Sequence, residues 1–421
     1  MSEQEYSPID KTALKPAKEN PWYVLATICD EDPIMPVGGT MEMQVGLHRL
    51  MSRDIWNAWA FSKLRDEQKV ILKDERPDLM EDLPDWDKIS TDIYKGFANR
   101  CKKSFPSLEQ GIVFTEIDFI EDTRFANFIF PCDVIFNKAK FSGIANFYNA
   151  IFFGNAIFRD TIFSKEIDFC EVIFSKRCIF RKTTFVENTF FIDATFNYVD
   201  FITTVFDRTV YFNRTKFNHL SYLGDCEFHG SVRLREARFE KEYPTFEGTV
   251  LDEKTTITAK EEYWPDPKNC EQNPEQAKAS CEVLRHTMNN QGIPEQAHFF
   301  FRREMQFAGR IGSLWQRLPY KLFGWLSNYG YSIYRPALGL IALWLGFASA
   351  YKVFSSLSCT ESLGLSIASL FQFTGWQRVY FSELMQCLPV WLKILAGSQT
   401  IAGIVLLFLL GLGLRNRFRF K

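Results

Sequence analysis

Hydrophobic positions in the middle of the chain recur at short, regular intervals. From Phe114 to Phe196 the steps between successive phenylalanines of one series alternate strictly between five and six residues. Two successive steps of five then carry the series to Phe201 and Phe206, and the alternation resumes as far as Phe239. In most copies the residue two positions before the Phe is small or β-branched, as at Ala139. Residues of about 112 to 246 therefore form one repeat array.

The period of the array favours strands over a helix. Steps of five and six residues turn a helix by about 140° and 240°, so the Phe side chains would form two rows far apart and leave no single apolar stripe. In a strand, residues i and i−2 point to the same side, so each small residue shares a face with its Phe. The array is also rich in Phe, Thr, Ile and Val, which favour strands. A short strand and a corner, repeated many times, predict a β-solenoid whose coils stack to bury the Phe residues.

The small-x-Phe pattern at spacings near five resembles the pentapeptide-repeat family in its Phe-rich variant, over residues of about 112 to 246. The resemblance implies a right-handed, four-sided β-helix with sides of five or six residues and coils of about 22. Phe114, Phe136, Phe158 and Phe180 would then stack at about 4.8 Å, the spacing of neighbouring strands. Phe174 and Phe185 belong to the same repeat core. The fold class expected is mainly β plus α.

Two long apolar stretches near the C-terminus predict transmembrane helices. Ala337 to Phe354 is apolar except for Lys352, and Ile394 to Leu414 contains no charged residue. The second is long enough to span a bilayer, and the first is short for a span. The alternative is a pair of buried helices in a large soluble core, but the chain has no other large helical layer that would bury them.

Basic residues flank the two stretches on their outer sides. Arg317, Lys321 and Arg335 precede the first, and Arg415 and Arg417 follow the second. The positive-inside rule places both ends in the cytoplasm, and the resemblance to pentapeptide-repeat proteins implies the bacterial inner membrane. Aromatic residues between Trp315 and Tyr334 predict an interfacial belt on a helix along the membrane surface.

The segment between the spans contains a shorter apolar run. Leu363 to Gly375 is too short to cross a bilayer, so we expect a re-entrant or interfacial segment. Two-span cation channels place a re-entrant helix and a filter loop at this position. Thr374 and Gly375 lie where a filter would be, but Trp376-Gln377-Arg378 replaces the expected carbonyl ladder. Thr374, Gly375 and Arg378 are thus candidate pore or interfacial residues, and Arg378 would repel cations.

Helical regions flank the array. Residues of about 40 to 105 show helical spacing, with Leu47, Leu50, Ile55 and Trp59 near one face. Asn273-Pro274-Glu275 and Pro294-Glu295 are start signals for a helical hairpin, which we expect to cover an open end of the solenoid. The predicted organisation is an N-terminal helical region (1–111), the β-helix (112–250), the hairpin with the aromatic segment (251–335) and the membrane domain (336–421). This arrangement resembles bacterial membrane-bound pentapeptide-repeat proteins.

Composition and motifs give no catalytic signal. The formal net charge is −2, with 49 basic and 51 acidic residues, so a nucleic-acid partner is not expected. The five histidines form no paired-ligand motif, and phosphate-binding or nucleophile-elbow motifs are absent from the sequence. The ten cysteines are scattered without CxxC pairs, which fits a reducing compartment. We therefore expect no enzyme activity, no cofactor and no metal.

Two functions from different classes remain. The first is a membrane-anchored scaffold, in which the β-helix offers flat faces to a cytoplasmic protein partner whose identity the sequence does not give. The second is an oligomeric, channel-like protein in which the spans associate and the β-helix gates or organises them. Membrane lipid is a partner in both, and a homo-oligomer formed through the spans is required by the second.

Overall fold

The structure is a computed structural model that describes residues 14–28, 51–80, 83–355 and 357–419. It divides into two compact units, Met1–Gly292 and Ile293–Lys421. The four-part division expected from the sequence stays a prediction. Leu47 and Leu50, which the helical spacing predicts on one face, lie outside the described residues. The α-helices are α1 (Pro21–Ala26), α2 (Ser52–Lys63), α3 (Asp66–Glu75), α4 (Trp86–Arg100), α5 (Pro274–Asn290), α6 (Pro294–Ala308), α7 (Leu314–Ser327), α8 (Tyr334–Phe354), α9 (Cys359–Leu370), α10 (Trp376–Tyr380), α11 (Ser382–Cys387) and α12 (Val390–Arg419).

The first unit is built around a parallel β-solenoid of about seven turns. Its strands fall into four stacks, A to D. Stack A contains Ile112–Val113, Val134–Ile135, Ala156–Ile157, the ends of Ile173–Ile179 and Thr195–Asp200, and Ser221–Tyr222. Stack B contains Lys15–Pro16, Ile117–Phe119, Lys140–Phe141, Ile162–Phe163, Thr184–Phe185, Val205–Phe206 and Glu227–Phe228. Stack C contains Thr123–Arg124, Ala145–Asn146, Ile167–Asp168, Thr189–Phe190, Val210–Tyr211, Val232–Leu234 and Thr256–Ile257. Stack D contains Ile129–Phe130, Ile151–Phe152, the starts of Ile173–Ile179 and Thr195–Asp200, Lys216–Phe217 and Arg238–Phe239.

The predicted solenoid is confirmed, and it extends further than the Phe series. Lys15–Pro16 adds a strand to stack B at one end, and Thr256–Ile257 adds one to stack C at the other. Stacks A and D form one sheet because Ile173–Ile179 and Thr195–Asp200 run through both. Right-handed winding around four sides stays a prediction.

The phenylalanines of the array form ladders inside the solenoid. The ring centroids of Phe114 and Phe136 lie 4.8 Å apart, those of Phe136 and Phe158 also 4.8 Å, and those of Phe158 and Phe180 4.9 Å. A second ladder contains Phe185, and a third contains Phe174, which lies 5.0 Å from Phe152. These spacings equal the strand separation, so each ring lies over its counterpart in the neighbouring coil.

The small position before each Phe has its own hydrogen-bonding role where it carries a hydroxyl. Thr161 Oγ1 donates to the Phe136 carbonyl oxygen at 2.8 Å, and Thr215 Oγ1 donates to that of Phe191 at 2.6 Å. Both threonines are fully buried. A small side chain is needed here because the rings of two coils leave little space, and the hydroxyl also satisfies a carbonyl of the preceding coil.

One corner in every half-coil adopts the left-handed backbone conformation without using glycine. The corner residues have φ between 52° and 63° and mostly lie eleven positions apart. They are Glu116, Asn127, Lys138, Asn149, Asp160, Glu171, Lys182, Asp193, Thr203, Arg214, Asp225 and Glu236. Each such non-glycine residue costs about 1–2 kcal/mol, less for Asn and Asp. The array therefore stores backbone strain at corners that the Phe period does not reveal.

The first coil would expose unpaired strand edges, and the N-terminal segment covers three of them. On stack B the Lys15 N–H donates to the Glu116 carbonyl at 2.9 Å. On stack A, Asn20 Nδ2 donates to the Val113 carbonyl at 2.9 Å. On stack D, Asn57 of α2 accepts from the Ile129 N–H at 2.9 Å and donates to the Asn127 carbonyl at 2.8 Å. The amide of Asn57 thus replaces a missing strand and blocks edge-to-edge association.

A second buried amide bonds backbone groups near the other end of the solenoid. Gln272 Oε1 accepts from the Tyr243 N–H, and Gln272 Nε2 donates to the Tyr243 carbonyl, both at 3.0 Å. Trp264 lies over Phe239 with centroids 4.7 Å apart and ends that ladder. At the first end Trp56, next to Asn57, lies 5.7 Å from Phe130 and its Nε1 donates to the Ile129 carbonyl at 2.8 Å. Both ends therefore have an aromatic ring and a buried amide, which is the cover that terminal coils of a solenoid need.

In the second unit, α8, α9 and α12 pack against one another. Along α9 the residue numbers rise as those of α8 fall: Leu365 lies in a cluster with Tyr351, whereas Leu370 lies in one with Leu340. Helix α9 is therefore antiparallel to α8. The chain then reverses, because Phe381 packs back against the cluster of Leu365. Residues 359–388 thus form a hairpin that starts and ends near the same end of α8.

Candidate functional site

The described histidines and cysteines do not assemble a reactive centre. His219 stacks on Tyr198 at 4.4 Å, and His229 Nδ1 lies 2.9 Å from Asp207 Oδ1, both on the solenoid surface. In the part of the chain that the structure describes, no three His, Cys, Asp or Glu side chains are placed to hold a metal ion. Burial raises the pKa of Cys132 to about 11 and that of Cys170 to about 12. These thiols stay protonated at neutral pH and are poor nucleophiles.

The candidate pore residues lie at and just after the tip of the 359–388 hairpin. The chain turns through a 3₁₀ turn at Gln372–Thr374, and Gly375 has φ 78°, which a glycine adopts without steric cost. The hydroxyl of Thr374 donates to the Phe371 carbonyl at 2.7 Å, and its side chain is exposed. Arg378 follows on the exposed side of α10. The structure thus brings Thr374 and Gly375 together in the tip and puts Arg378 on the returning arm.

The tip lies far along the bundle from the point where the hairpin begins. Leu370 packs with Leu340, which lies 14 residues before the end of α8 at Phe354. At 1.5 Å per residue this is a distance of about 21 Å along the helix axis. The hairpin therefore extends along most of the length of α8 before it turns.

A buried polar network holds the hairpin against both long helices. The hydroxyl of Tyr351 donates to Gln399 Oε1 at 2.9 Å, and Gln399 Nε2 donates to Ser366 Oγ at 2.8 Å. The Ser366 hydroxyl donates to the Trp344 carbonyl at 2.7 Å. Tyr351, Ser366 and Gln399 are all fully buried. Because each donor has an acceptor, the network links α8, α9 and α12 without an unpaired polar group.

Two further bonds extend this network towards the tip. Thr400 Oγ1 donates to the Ser369 carbonyl at 2.7 Å, and Gln377 Nε2 lies 3.4 Å from Ser369 Oγ. Gln377, on the returning arm, is buried. The two arms of the hairpin are therefore tied to each other as well as to α12.

Sequence reasoning missed this network, although a signal was present. Ser362, Ser366 and Ser369 follow one another at spacings of four and three, so they share one face of a helix. Gln399 and Thr400 are adjacent polar residues in an otherwise apolar stretch. The serine spacing predicts a polar face, but no pattern in the sequence pairs that face with Gln399.

Helix α7 presents an apolar face to the surroundings. Leu314, Trp315, Leu318, Leu322 and Trp325 fall within about 100° around the helix. All are exposed, Trp315 to 83%. Arg335 Nη1 donates to the Gly324 carbonyl at 3.0 Å, so the end of α7 is tied to the start of α8. Such a face beside a long apolar helix is typical of a helix at a membrane interface.

None of the family models, curated proteins or solved structures with which the chain was compared matches it.

Proposed function

We propose that this protein is a membrane-anchored, non-catalytic scaffold, in which a β-solenoid of the pentapeptide-repeat type is held at the bacterial inner membrane by α8 and α12. The main observation that supports this proposal is the exposure of these two helices. Both are long and apolar enough to cross a membrane. In the most apolar 18-residue stretch of each helix, however, only 17% of the residues of α8 and 33% of those of α12 are buried. A helix from the core of a soluble protein would be largely buried, so the soluble alternative accounts poorly for this surface.

The solenoid supports a binding role over a chemical one. Its strands stack in continuous parallel sheets, and backbone groups near its two ends are bonded by Asn57 and Gln272. Stacked coils provide extended surfaces of the kind that solenoid proteins use for partners. The protein partner, the solenoid's place in the cytoplasm and the bacterial origin are parts of this proposal.

Orientation follows from the basic residues. Asn416 Nδ2 donates to the Gly330 carbonyl at 2.9 Å, so the C-terminal end of α12 lies beside the segment that precedes α8. Arg335, Arg415 and Arg417 therefore gather at one end of the second unit. By the positive-inside rule this end faces the cytoplasm, and the start of the hairpin faces away from it.

The test is labelling of single cysteines, introduced at Leu357 or at Phe418 in a variant without native cysteines. An impermeant thiol reagent applied to intact cells is expected to label position 357 and to leave 418 unlabelled until the cells are opened. Extraction of the protein from membranes by alkaline carbonate would refute membrane insertion. Labelling at 418 in intact cells would refute the orientation alone.

A second candidate, an oligomeric channel-like assembly, is favoured by the position of the hairpin tip. If α8 spans the bilayer, Thr374 and the exposed Gln372 lie about 21 Å from the end of α8 at Phe354, well inside the membrane. Irregular backbone at such depth is tolerated where protein or water covers it, not against lipid. Several copies arranged around the tips would supply that cover.

This candidate has its own test. In planar bilayers, purified oligomer is expected to conduct anions better than cations because Arg378 would form a ring of positive charge. Arg378→Glu should reverse the selectivity, and Lys352→Glu, near the end of α8 that lies away from the tip, should not. If no current is seen, or if the selectivity is the same with Arg or Glu at position 378, the channel function is refuted and only the scaffold function remains.

A further inference from the structure

A groove crosses the outer face of stack A where the solenoid loses its regularity. It has a volume of about 510 Å³, and its lining includes Arg159, Arg177, Arg181, Tyr198, Tyr222 and Glu242. All of these residues belong to the first unit. The two tyrosines are partly exposed, at 37% and 39%.

The groove coincides with a shortened coil. Phe174 pairs with Phe196 at a separation of 22 residues, but Arg177 pairs with Tyr198 at a separation of 21, so the register shifts between Phe174 and Arg177. The coil that is one residue shorter corresponds to the two successive steps of five residues in the Phe series. A bulge of this kind re-aims side chains and is common beside binding sites. Here it places Tyr198 next to Arg177 on the outer face.

One end of the groove is basic and only partly neutralised. Arg181 Nε donates to Asp200 Oδ2 at 2.6 Å. Among the described residues, the guanidinium groups of Arg159 and Arg177 have no hydrogen-bond or ion-pair partner. Arg159 and Arg181 are 22 residues apart, so their backbones lie one strand spacing apart, at about 4.8 Å. A carboxylate bound between such groups receives paired N–H donors and relieves their mutual repulsion.

The opposite end of the groove is acidic. Glu242 is half-buried, and its Oε2 atom has no hydrogen-bond partner among the described atoms. It lies four coils after Arg159, which corresponds to about 19 Å at the strand spacing. Six residues of extended chain cover about 20 Å at 3.3 Å per residue. The groove is therefore as long as a short peptide.

We propose that this groove binds an extended, acidic peptide segment of a partner protein, with a carboxylate at the basic end lined by Arg159, Arg177 and Arg181 and a hydrogen-bond donor towards Glu242. Arginine and tyrosine are the side chains that most often dominate protein interfaces, and both line this groove. The acidic groups Asp200 and Glu242 disfavour the continuous negative charge of a nucleic acid. The proposal rests on the proposed scaffold function and names the part of the solenoid that serves it.

The test uses the full chain in detergent as the target of a phage-displayed library of random heptapeptides. Enriched peptides are expected to carry Asp or Glu. Synthetic, fluorescein-labelled copies should bind at least tenfold more weakly to the double variant Arg159→Ala/Arg177→Ala, measured by fluorescence anisotropy. Arg208→Ala, an exposed change on a different part of the solenoid, should bind as the unchanged protein does. Circular dichroism checks that both variants keep the fold, which is expected because the arginines are exposed.

The contrary outcomes are separate. If enriched peptides bind the double variant as tightly as the unchanged protein, the proposal that they bind in this groove is refuted and the scaffold function is not. Displacement of the peptide by a single-stranded oligonucleotide at micromolar concentration would overturn the choice of an acidic peptide as ligand. Enrichment of no peptide at all would count against both the groove and the scaffold, whereas failure of membrane insertion alone would leave the groove intact.

Discussion

Removal of the Asn57 amide tests whether the first coil depends on its cover. In Asn57→Ala, the Ile129 N–H loses its acceptor and the Asn127 carbonyl loses its donor, at a site where Asn57 is only 1% exposed. Each buried group left without a partner costs about 1–3 kcal/mol, so the two together cost about 2–6 kcal/mol. Native domains are stable by about 5–15 kcal/mol, so the loss would be a large part of the total.

The location of the damage is as informative as its size. Coils of a solenoid interact mainly with their neighbours, so opening should begin at the first coil. Hydrogen exchange measured by mass spectrometry should show lost protection in peptides covering residues 112–135 and little change in those covering 227–239.

The matched control is Asn188→Ala, because Asn188 Nδ2 makes one exposed bond of 3.3 Å to Glu166. This change should alter stability by less than about 0.5 kcal/mol. Equal exchange in the two variants, or a loss spread evenly along the solenoid, would refute the reasoning that a single amide closes the edge.

Three other changes probe corners, core and groove. Thr203→Asn should raise stability by about 1 kcal/mol in urea unfolding because Asn tolerates the left-handed conformation that Thr203 holds at φ 57°, whereas Thr184→Asn, on a strand, should not. Phe158→Asp should cost several kcal/mol, seen as loss of the folded circular dichroism signal, because it buries an unpaired charge; Phe190→Asp, on an outward position, should keep that signal. Burial raises the pKa of Glu242, so ionisation of its carboxyl destabilises the folded protein once the pH rises above the ordinary pKa of a glutamate. Glu242→Gln should therefore raise the melting temperature at pH 7 and leave it nearly unchanged at pH 4. Equal shifts at both pH values would contradict this last assignment.

The solenoid is predictable from the sequence because the pattern that specifies it is local and repeated. Each Phe and the small residue before it specify a strand and a face, and the same choice made in every coil favours stacking of the coils. Even the irregular step after Phe196 was visible as a break in spacing, and it reappears as the register shift beside Arg177. The two apolar helices were equally accessible because length and composition define them.

Features made by residues far apart in the chain could not be predicted without the three-dimensional structure. Asn57 bonds to residues about 70 positions away, and Tyr351 bonds to Gln399 across 48 positions, so neither pairing leaves a periodic signal. The left-handed corners at Glu116 and Lys182 use residue types that do not announce such a conformation. Likewise, Arg159 and Glu242 become the two ends of one groove only because stacking turns their separation in sequence into four strand spacings. Local preferences fix which elements form, whereas closure of edges and assembly of surfaces depend on which elements meet.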